Sequence, residues 1–153
     1  MTKEILSQID RTIDAGEIDK FAATAEEWWD EDGKFKPLHR LNPLRMAFLK
    51  DHIAAHFSRN PLDLAPLSGL NILDIGCGGG LIAEPLTRLG ANVTGLDASE
   101  RNIEVAKLHA NKMGLEIEYK AAAASDLVRS GYQFDAVVNL EVIEHVADVD
   151  EFM

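Results

Sequence analysis

The fold of this chain is decided by one segment, Leu70-Asn-Ile-Leu-Asp-Ile-Gly-Cys-Gly-Gly-Gly80. An apolar run that contains an acidic residue, Asp74, and then breaks into glycines predicts a buried strand, a tight turn and a helix. Glycine lacks a Cβ atom, so the backbone of the turn can adopt positive φ angles and approach a bound molecule closely. The unpaired amides at the start of the next helix favour an anionic group. We therefore expect a ligand site at this turn.

The spacing of the glycines separates two classes of ligand. In the dinucleotide fingerprint G-x-G-x-x-G, the third glycine would fall at position 81, which is Leu81 in this chain. The observed spacing is Asp74-x-Gly76-x-Gly78-x-Gly80. This pattern resembles the first motif of the class I methyltransferases that use S-adenosylmethionine. A nicotinamide-dependent dehydrogenase is the alternative enzyme class, weakened by the short spacing.

Composition limits the partners and the compartment. The chain has 153 residues and is 46% hydrophobic, which is enough for one domain with a core. It carries 15 basic and 26 acidic residues, a net charge of −11, so it would repel a phosphate backbone and we expect no nucleic-acid partner. The single cysteine agrees with a reducing compartment. No signal peptide and no apolar run of about 18 residues is apparent, and we expect a cytoplasmic protein.

The N-terminal part of the chain has a helical pattern. Apolar residues, including Trp28 and Trp29, recur every three or four positions between Thr2 and about Asp32, which predicts an amphipathic helix. We interpret this helix mainly as packing on the domain. Two adjacent tryptophans could also close over a cofactor or an apolar substrate.

A basic segment, Lys34 to Arg45, follows in this acidic protein. Because it contains two prolines, we expect a loop, with Asn42 capping and Pro43 opening a helix that ends near Phe57. The segment is either a solvated loop or a lid that brings Arg45 to a carboxylate.

From residue 70 the pattern alternates strands and helices. The predicted elements are strand 71–75, a helix ending at 89, strand 92–96, helix 98–113, strand 117–120 and strand 134–140. Pro85 should delay or kink the first helix, because an interior proline costs about 3 kcal/mol. The alternation implies an α/β fold, a Rossmann-like three-layer sandwich with a parallel sheet and right-handed crossovers. The proline-containing stretch 60–69 predicts the border between a helical extension and lid, 1–69, and the cofactor domain, 70–153.

Candidate binding residues lie where the predicted strands end. They are Asp74, Gly76, Asp97 and Glu141. Ligands of parallel α/β folds bind at the carboxyl ends of the strands. Asp97 follows Gly76 by about 20 residues, a distance from which a carboxylate reaches a ribose and accepts hydrogen bonds from its hydroxyls. Asp97 could instead only cap the helix that follows.

Longer sequence segments indicate a more specific family within the class I methyltransferases. The valine-rich stretch Phe134-Asp-Ala-Val-Val-Asn-Leu-Glu-Val-Ile-Glu-His-Val146 resembles the fourth motif of the class I methyltransferases. It occurs together with Trp28-Trp-Asp30, Phe35-Lys-Pro-Leu-His-Arg-Leu-Asn-Pro-Leu-Arg45 and Ala106-Lys-Leu-His-Ala110. In combination, these strings are similar to the ubiquinone-biosynthesis O-methyltransferase family, over essentially the whole chain from about Ile18.

The resemblance implies an activity and a set of site residues. The implied reaction is methyl transfer from S-adenosylmethionine to phenolic hydroxyls of 2-polyprenyl-6-hydroxyphenol and 3-demethylubiquinol. The cofactor-binding residues would be Arg45, Gly76, Asp97 and Leu140, together with Asp74 and Gly78 of the glycine turn. The resemblance also implies magnesium, with ligands matching Glu141, Glu144 and His145. It further implies peripheral contact with the inner membrane and with other quinone-synthesis enzymes, and a homo-oligomer is compatible with it.

The implied chemistry needs a proton acceptor. A phenol with a pKa of about 10 is a poor nucleophile at neutral pH, so its proton must be removed or withdrawn while the methyl group is held in line. His145 and Glu144 are the candidate catalytic residues. Either His145 acts directly as a general base, or a bound cation lowers the pKa of the phenol. A histidine here could also only position the substrate, and magnesium prefers oxygen ligands.

Two features depart from the family pattern. A run of alanines, 121–124, follows the third strand, so adenine contacts would come from backbone groups, Ser125 or Asp126. Class I methyltransferases have seven strands, whereas four are predicted here. We therefore expect a truncated sandwich, part of a longer protein, that is inactive alone. A non-catalytic S-adenosylmethionine-binding module is the third hypothesis.

Overall fold

The computed structural model describes residues 15–153, without the side chains of residues 15–19, 21 and 151. Its helices are α1 (Ala15–Trp29), α2 (Lys36–His56), α3 (Ala83–Arg88), α4 (Glu100–Lys112), α5 (Ala124–Arg129) and α6 (Val149–Phe152). Its strands are β1 (Asn71–Ile75), β2 (Asn92–Asp97), β3 (Glu118–Ala121) and β4 (Ala136–Asn139), and a 3₁₀ turn, Ile143–His145, follows β4. The first part of the predicted N-terminal helix, residues 2–14, lies outside the described residues. None of the described helices combines the length and the apolar character needed to cross a membrane.

The sheet is parallel, in the order β3-β2-β1-β4. Ile75 pairs with Leu96 on one side and with Asn139 on the other, so the carboxyl ends of β1, β2 and β4 lie side by side. The chain moves outward from β1 to β3 and then returns to the other side of β1. Crevices at such reversals of strand order bind ligands in α/β sheets. The predicted α/β class and the four parallel strands are confirmed.

One apolar core joins the N-terminal helices to the sheet. Ala54 of α2 and Leu67 are fully buried in the same cluster as Ile72 of β1. Stretch 60–69 contains only turns, and the Leu67 N–H donates to the Leu89 carbonyl (3.0 Å). The predicted border at residue 69 therefore lies within a continuous core, and the division into two parts stays a prediction.

The predicted loop at Lys34–Arg45 is wrong, because α2 runs through most of it. Pro37 lies in the first turn of α2, where a helix amide has no partner within the helix. Pro43 lies inside α2 and removes one helical hydrogen bond, but the helix persists because its inner face packs on the core. Asn42 is not a cap, since its Nδ2 donates to the Leu81 carbonyl (2.8 Å).

Two details of the core elements bear on the site. The late start predicted for the helix after the glycines is confirmed, since Pro85 is the third residue of α3 and its missing amide lies in the first turn. Helix α5 was not expected, because the alanines before it show no apolar period. Asp126 accepts a hydrogen bond from the Ala123 N–H (3.2 Å) and so helps α5 to begin.

Two leucines in the stretch before β1 test the placement of the core. Leu67 is 0% exposed and Leu64 is 99% exposed. We expect Leu67→Ala to lower the free energy of unfolding by about 2–5 kcal/mol, because it removes buried methyl groups and leaves a cavity. Leu64→Ala, the matched control, should change it by less than about 0.5 kcal/mol. Urea unfolding followed by circular dichroism measures both, and equal effects would contradict this placement of the core.

Candidate functional site

The glycine loop, residues 76–80, connects β1 to α3 with bare main chain. Gly76, Gly78 and Gly80 have φ angles of 70°, 53° and 95°, in the left-handed region that favours glycine. The Gly76 N–H donates to the Leu96 carbonyl near the end of β2 (2.7 Å). The loop is thus attached to the neighbouring strand, and its glycines contribute no side chains of their own to the space above it.

Asp97 lies at the carboxyl end of β2 and contacts the glycine loop. Its Oδ2 accepts a hydrogen bond from the Gly78 N–H (3.0 Å). Its Oδ1 accepts from the Ser99 N–H (2.8 Å) and from Nδ2 of Asn102 (3.4 Å), both at the start of α4. Asp97 therefore supports the helix and the glycine loop together. Because a carboxylate offers about four acceptor positions, it can also accept from a ribose.

Asp74 is buried below the glycine loop with one carboxyl oxygen unpaired. The residue is 3% exposed, and its Oδ2 has no hydrogen-bond partner. Burial and the nearby Asp97 charge raise the pKa of Asp74 to about 7, and a hydrogen bond from the Ala83 N–H opposes this shift. Near neutral pH this carboxyl group can therefore donate or accept a hydrogen bond. A buried group of this kind fits a polar atom of a ligand.

A cavity of 160 Å³ lies at the carboxyl ends of β1 and β4. It brings together five of the predicted cofactor residues, Arg45, Asp74, Gly76, Gly78 and Leu140. The sixth, Asp97, does not line the cavity but bonds to its wall through the Gly78 N–H. Ligand pockets usually measure about 300–1,000 Å³. A cofactor of the size of S-adenosylmethionine therefore requires side chains of the outer wall to move.

Two apolar side chains occupy the space over the glycine loop. A Cβ atom added at Gly76 would collide with Val142, which follows β4. A Cβ atom added at Gly78 would lie 2.6 Å from Cη2 of Trp28. Trp28 also stacks on Phe35, with 4.0 Å between the ring centroids. Trp28 thus covers the glycine loop, and movement of Val142 and Trp28 would enlarge the space above it.

Arg45 and Glu141, which were predicted for different roles, form an ion pair with each other. The pair connects α2 to the segment after β4 at the wall of the cavity. Arg45 is largely buried, whereas Glu141 is exposed and has a φ of 57°, uncommon for a residue with a Cβ atom. A cofactor carboxylate must compete with Glu141 for the Arg45 guanidinium.

The predicted magnesium ligands do not form one set in this arrangement. Glu144 and His145 are exposed in the turn after β4, and neither lines the cavity. Glu141 is paired with Arg45. Over residues 15–153, no group of three His, Cys, Asp or Glu side chains is arranged to hold a metal ion. The three residues therefore do not fit a magnesium site as the structure places them.

A network behind the glycine loop was not found from the sequence. Trp29 Nε1 donates to the Gly79 carbonyl (3.1 Å), and its indole stacks on His109. His109 Nδ1 in turn lies 2.6 Å from Oε1 of the fully buried Glu84. The sequence signals these contacts weakly, because His109 stands out only within the string 106–110 and Glu84 only as a charge in an apolar run.

Comparisons with known proteins show which family and which relatives the chain resembles. Residues 73–153 match the family model described as a methyltransferase domain. The chain is 56% identical over 142 residues to the ubiquinone biosynthesis O-methyltransferase of Chelativorans sp. (strain BNC1), and 57% identical over 142 residues to that of Brucella anthropi. Each comparison covers 93% of this chain. The chain spans 56% and 57% of the lengths of these two relatives.

A solved structure supports the fold. Magnesium protoporphyrin IX methyltransferase from Synechocystis PCC 6803, with bound S-adenosylmethionine, is similar with a TM-score of 0.62 and 23% sequence identity. The comparison covers 93% of this chain and 68% of that one. At this identity the similarity concerns the fold, and it agrees with the Rossmann-like arrangement of the strands.

The raised pKa of Asp74 predicts a pH dependence of stability. Between about pH 4 and pH 7 the folded chain keeps the Asp74 proton, which the unfolded chain has lost, so this group contributes stability that falls as the pH rises. Asn at this position does not titrate. We therefore compare the free energy of unfolding of Asp74→Asn with that of the unmodified chain. The difference, variant minus unmodified chain, should be larger at about pH 8 than at about pH 5. Urea unfolding of both chains at the two pH values measures the change, and a constant difference would contradict a raised pKa.

Proposed function

Because the chain belongs to the methyltransferase-domain family, we propose that it is the cofactor-binding part of an S-adenosylmethionine-dependent O-methyltransferase. The observation that carries the proposal is the position of Asp97. Its carboxylate lies at the end of β2 and bonds to the bare main chain of the glycine loop. An acid in this position can accept a hydrogen bond from one hydroxyl of an unphosphorylated ribose at the acceptor position that Gly78, Ser99 and Asn102 leave open, and from the second hydroxyl once the Asn102 amide moves away. It would repel a phosphorylated ribose.

The residues around the cavity fit the parts of S-adenosylmethionine. In the proposed complex, Asp97 binds the ribose, the main chain of the glycine loop supports the nucleoside, and Leu140 contacts the adenine. Arg45 binds the carboxylate after separating from Glu141. The unpaired Oδ2 of Asp74 offers a hydrogen-bonding position to the amino-acid end of the ligand. Once bound, S-adenosylmethionine supplies a methyl group activated by its sulfonium.

The proposed substrates come from the relatives. Because the relatives named ubiquinone biosynthesis O-methyltransferase are 56% and 57% identical over most of this chain, we assign methylation of 2-polyprenyl-6-hydroxyphenol and of 3-demethylubiquinol to the whole protein. The phenol oxygen forms a bond to the methyl carbon as the carbon–sulfur bond breaks, and the phenol proton goes to a base. His145 stays the predicted general base, and Glu144 stays the second candidate catalytic residue. Their exposed turn would have to approach the cavity in the whole protein.

Magnesium stays a prediction carried by the resemblance alone. Since Glu141 is engaged by Arg45 and the three predicted ligands are not gathered, no step of this proposal passes through a metal ion. A cytoplasmic location at the surface of the inner membrane belongs to the proposal for the whole protein. Contacts with quinone-synthesis enzymes and self-association belong to it as well, on the same resemblance.

Titration calorimetry with S-adenosylhomocysteine tests the proposed cofactor. Asp97→Asn should weaken its affinity about 30-fold, because hydrogen bonds to a charged group contribute about 2 kcal/mol. Asp135→Asn is the matched control, since Asp135 also accepts from a backbone amide, that of Asn71 (2.7 Å), but at the amino end of the sheet. Binding of NAD without binding of S-adenosylhomocysteine would overturn the proposal in favour of a dehydrogenase. Equal affinities of the two variants would show that Asp97 does not bind the cofactor.

A second titration addresses the metal. We expect the affinity of the chain for S-adenosylhomocysteine to be the same with magnesium and with a chelator, because Glu144 and His145 do not line the cavity and are not gathered with Glu141 into one set of ligands. A large gain in affinity with magnesium, lost in Glu144→Gln, would restore the predicted metal site. Glu104→Gln is the control, since Glu104 also carries a carboxylate but pairs with Lys107 on α4.

A further inference from the structure

The glycine loop contains three successive glycines, 78–80, which have no side chains to hold their main chain in one conformation. Without side chains, the peptide groups between these residues can rotate at little steric cost. A binding surface made of their main chain therefore needs contacts that fix its orientation. The Gly79 carbonyl has such a contact, because it accepts a hydrogen bond from Nε1 of Trp29 at the end of α1 (3.1 Å).

Trp29 is itself held by two imidazole rings. Its indole stacks on His109 of α4, with ring centroids 3.9 Å apart and an interplanar angle of 4°. The His39 ring lies edge-on, with a centroid separation of 6.2 Å. The stack fixes the plane of the indole and therefore the direction in which its N–H points.

His109 is fixed by a buried acid. Its Nδ1 lies 2.6 Å from Oε1 of Glu84, which is fully buried, and Nη2 of Arg88 lies 3.3 Å from the other carboxyl oxygen. A carboxylate can only accept, so Nδ1 of His109 donates. Because a buried carboxylate is costly without its partners, this contact holds the His109 ring in one orientation.

The contacts form a closed ring that starts and ends on the glycine loop. The Glu84 N–H donates to the Gly80 carbonyl (3.1 Å), and the ring then passes through the Glu84 side chain, His109 and Trp29 to the Gly79 carbonyl. We infer that Trp29, His109 and Glu84 are positioning residues that hold the glycine loop in the orientation that binds the cofactor. This inference rests on the proposed function, and it assigns these three residues no contact with the substrate.

The inference predicts an effect on affinity. When only a fraction of the molecules has the binding-competent loop, the apparent dissociation constant rises by the inverse of that fraction. Trp29→Phe keeps an aromatic ring against His109 but removes the donor to the Gly79 carbonyl. His109→Asn keeps an amide donor towards Glu84 but removes the ring that orients Trp29. Each variant should raise the dissociation constant of S-adenosylhomocysteine about tenfold.

A double variant separates a network from two independent contacts. Both substitutions interrupt the same closed series of contacts. The double variant, Trp29→Phe with His109→Asn, should therefore bind S-adenosylhomocysteine no more weakly than the weaker of the two single variants. His52→Asn is the matched control. His52 also stacks on an aromatic ring, that of Phe48 (3.9 Å), and its Nδ1 lies 2.8 Å from the Phe48 carbonyl, but it is exposed on α2. Its variant should bind like the unmodified chain.

Hydrogen exchange of the ligand-free chain gives a readout that does not depend on the cofactor. The Gly80 N–H, which donates to the Cys77 carbonyl (3.0 Å), should exchange faster in Trp29→Phe and in His109→Asn than in the unmodified chain and in His52→Asn. Unfolding midpoints confirm that the variants are folded. If the unmodified chain does not bind S-adenosylhomocysteine, the proposed function fails and the exchange data alone decide whether the network orders the loop. Unchanged exchange, or unchanged affinity where the unmodified chain binds, would overturn the inference.

Discussion

The structure depends on the attachment of the glycine loop to the end of β2. Three hydrogen bonds make this attachment: the Gly76 and Cys77 N–H groups donate to the Leu96 carbonyl, and the Gly78 N–H donates to Asp97. They place the glycine main chain against Asp97, the residue predicted to bind a ribose. The reversal of strand order between β1 and β4 then leaves a crevice above the loop.

The N-terminal helices contribute side chains to this site. Trp28 covers the glycine loop, Trp29 bonds to it, and Arg45 lines the cavity beside it. The same helices share the core with the sheet through Ala54. Any movement that opens the cavity must therefore pass through contacts of α1 and α2 or through Val142. This arrangement links the entry of the cofactor to the position of the extension.

The sequence predicted best what short-range patterns determine. The strand, the glycine turn and the late helix start at Pro85 follow from local rules, and so does the position of Asp97 at a strand end. The loop predicted at Lys34–Arg45 is wrong because tertiary contacts outweighed local preference, since packing on the core keeps α2 helical across Pro43. The buried position of Glu84 also depends on a tertiary contact, because His109 of α4, together with Arg88, pairs with its carboxylate. Arg45 and Glu141 are far apart in sequence, so no local pattern predicts that they pair.

The central claim is that a sulfonium nucleoside binds on the bare main chain after β1, with its sugar held by the acid at the end of β2. A crystal structure of the chain with S-adenosylhomocysteine tests this claim most directly. We expect both ribose hydroxyls to lie within hydrogen-bond distance of the Asp97 carboxylate and the side chain of Val142 to have moved away from Gly76. A ligand bound elsewhere, with Asp97 directed away from the sugar and Val142 still over Gly76, would contradict it.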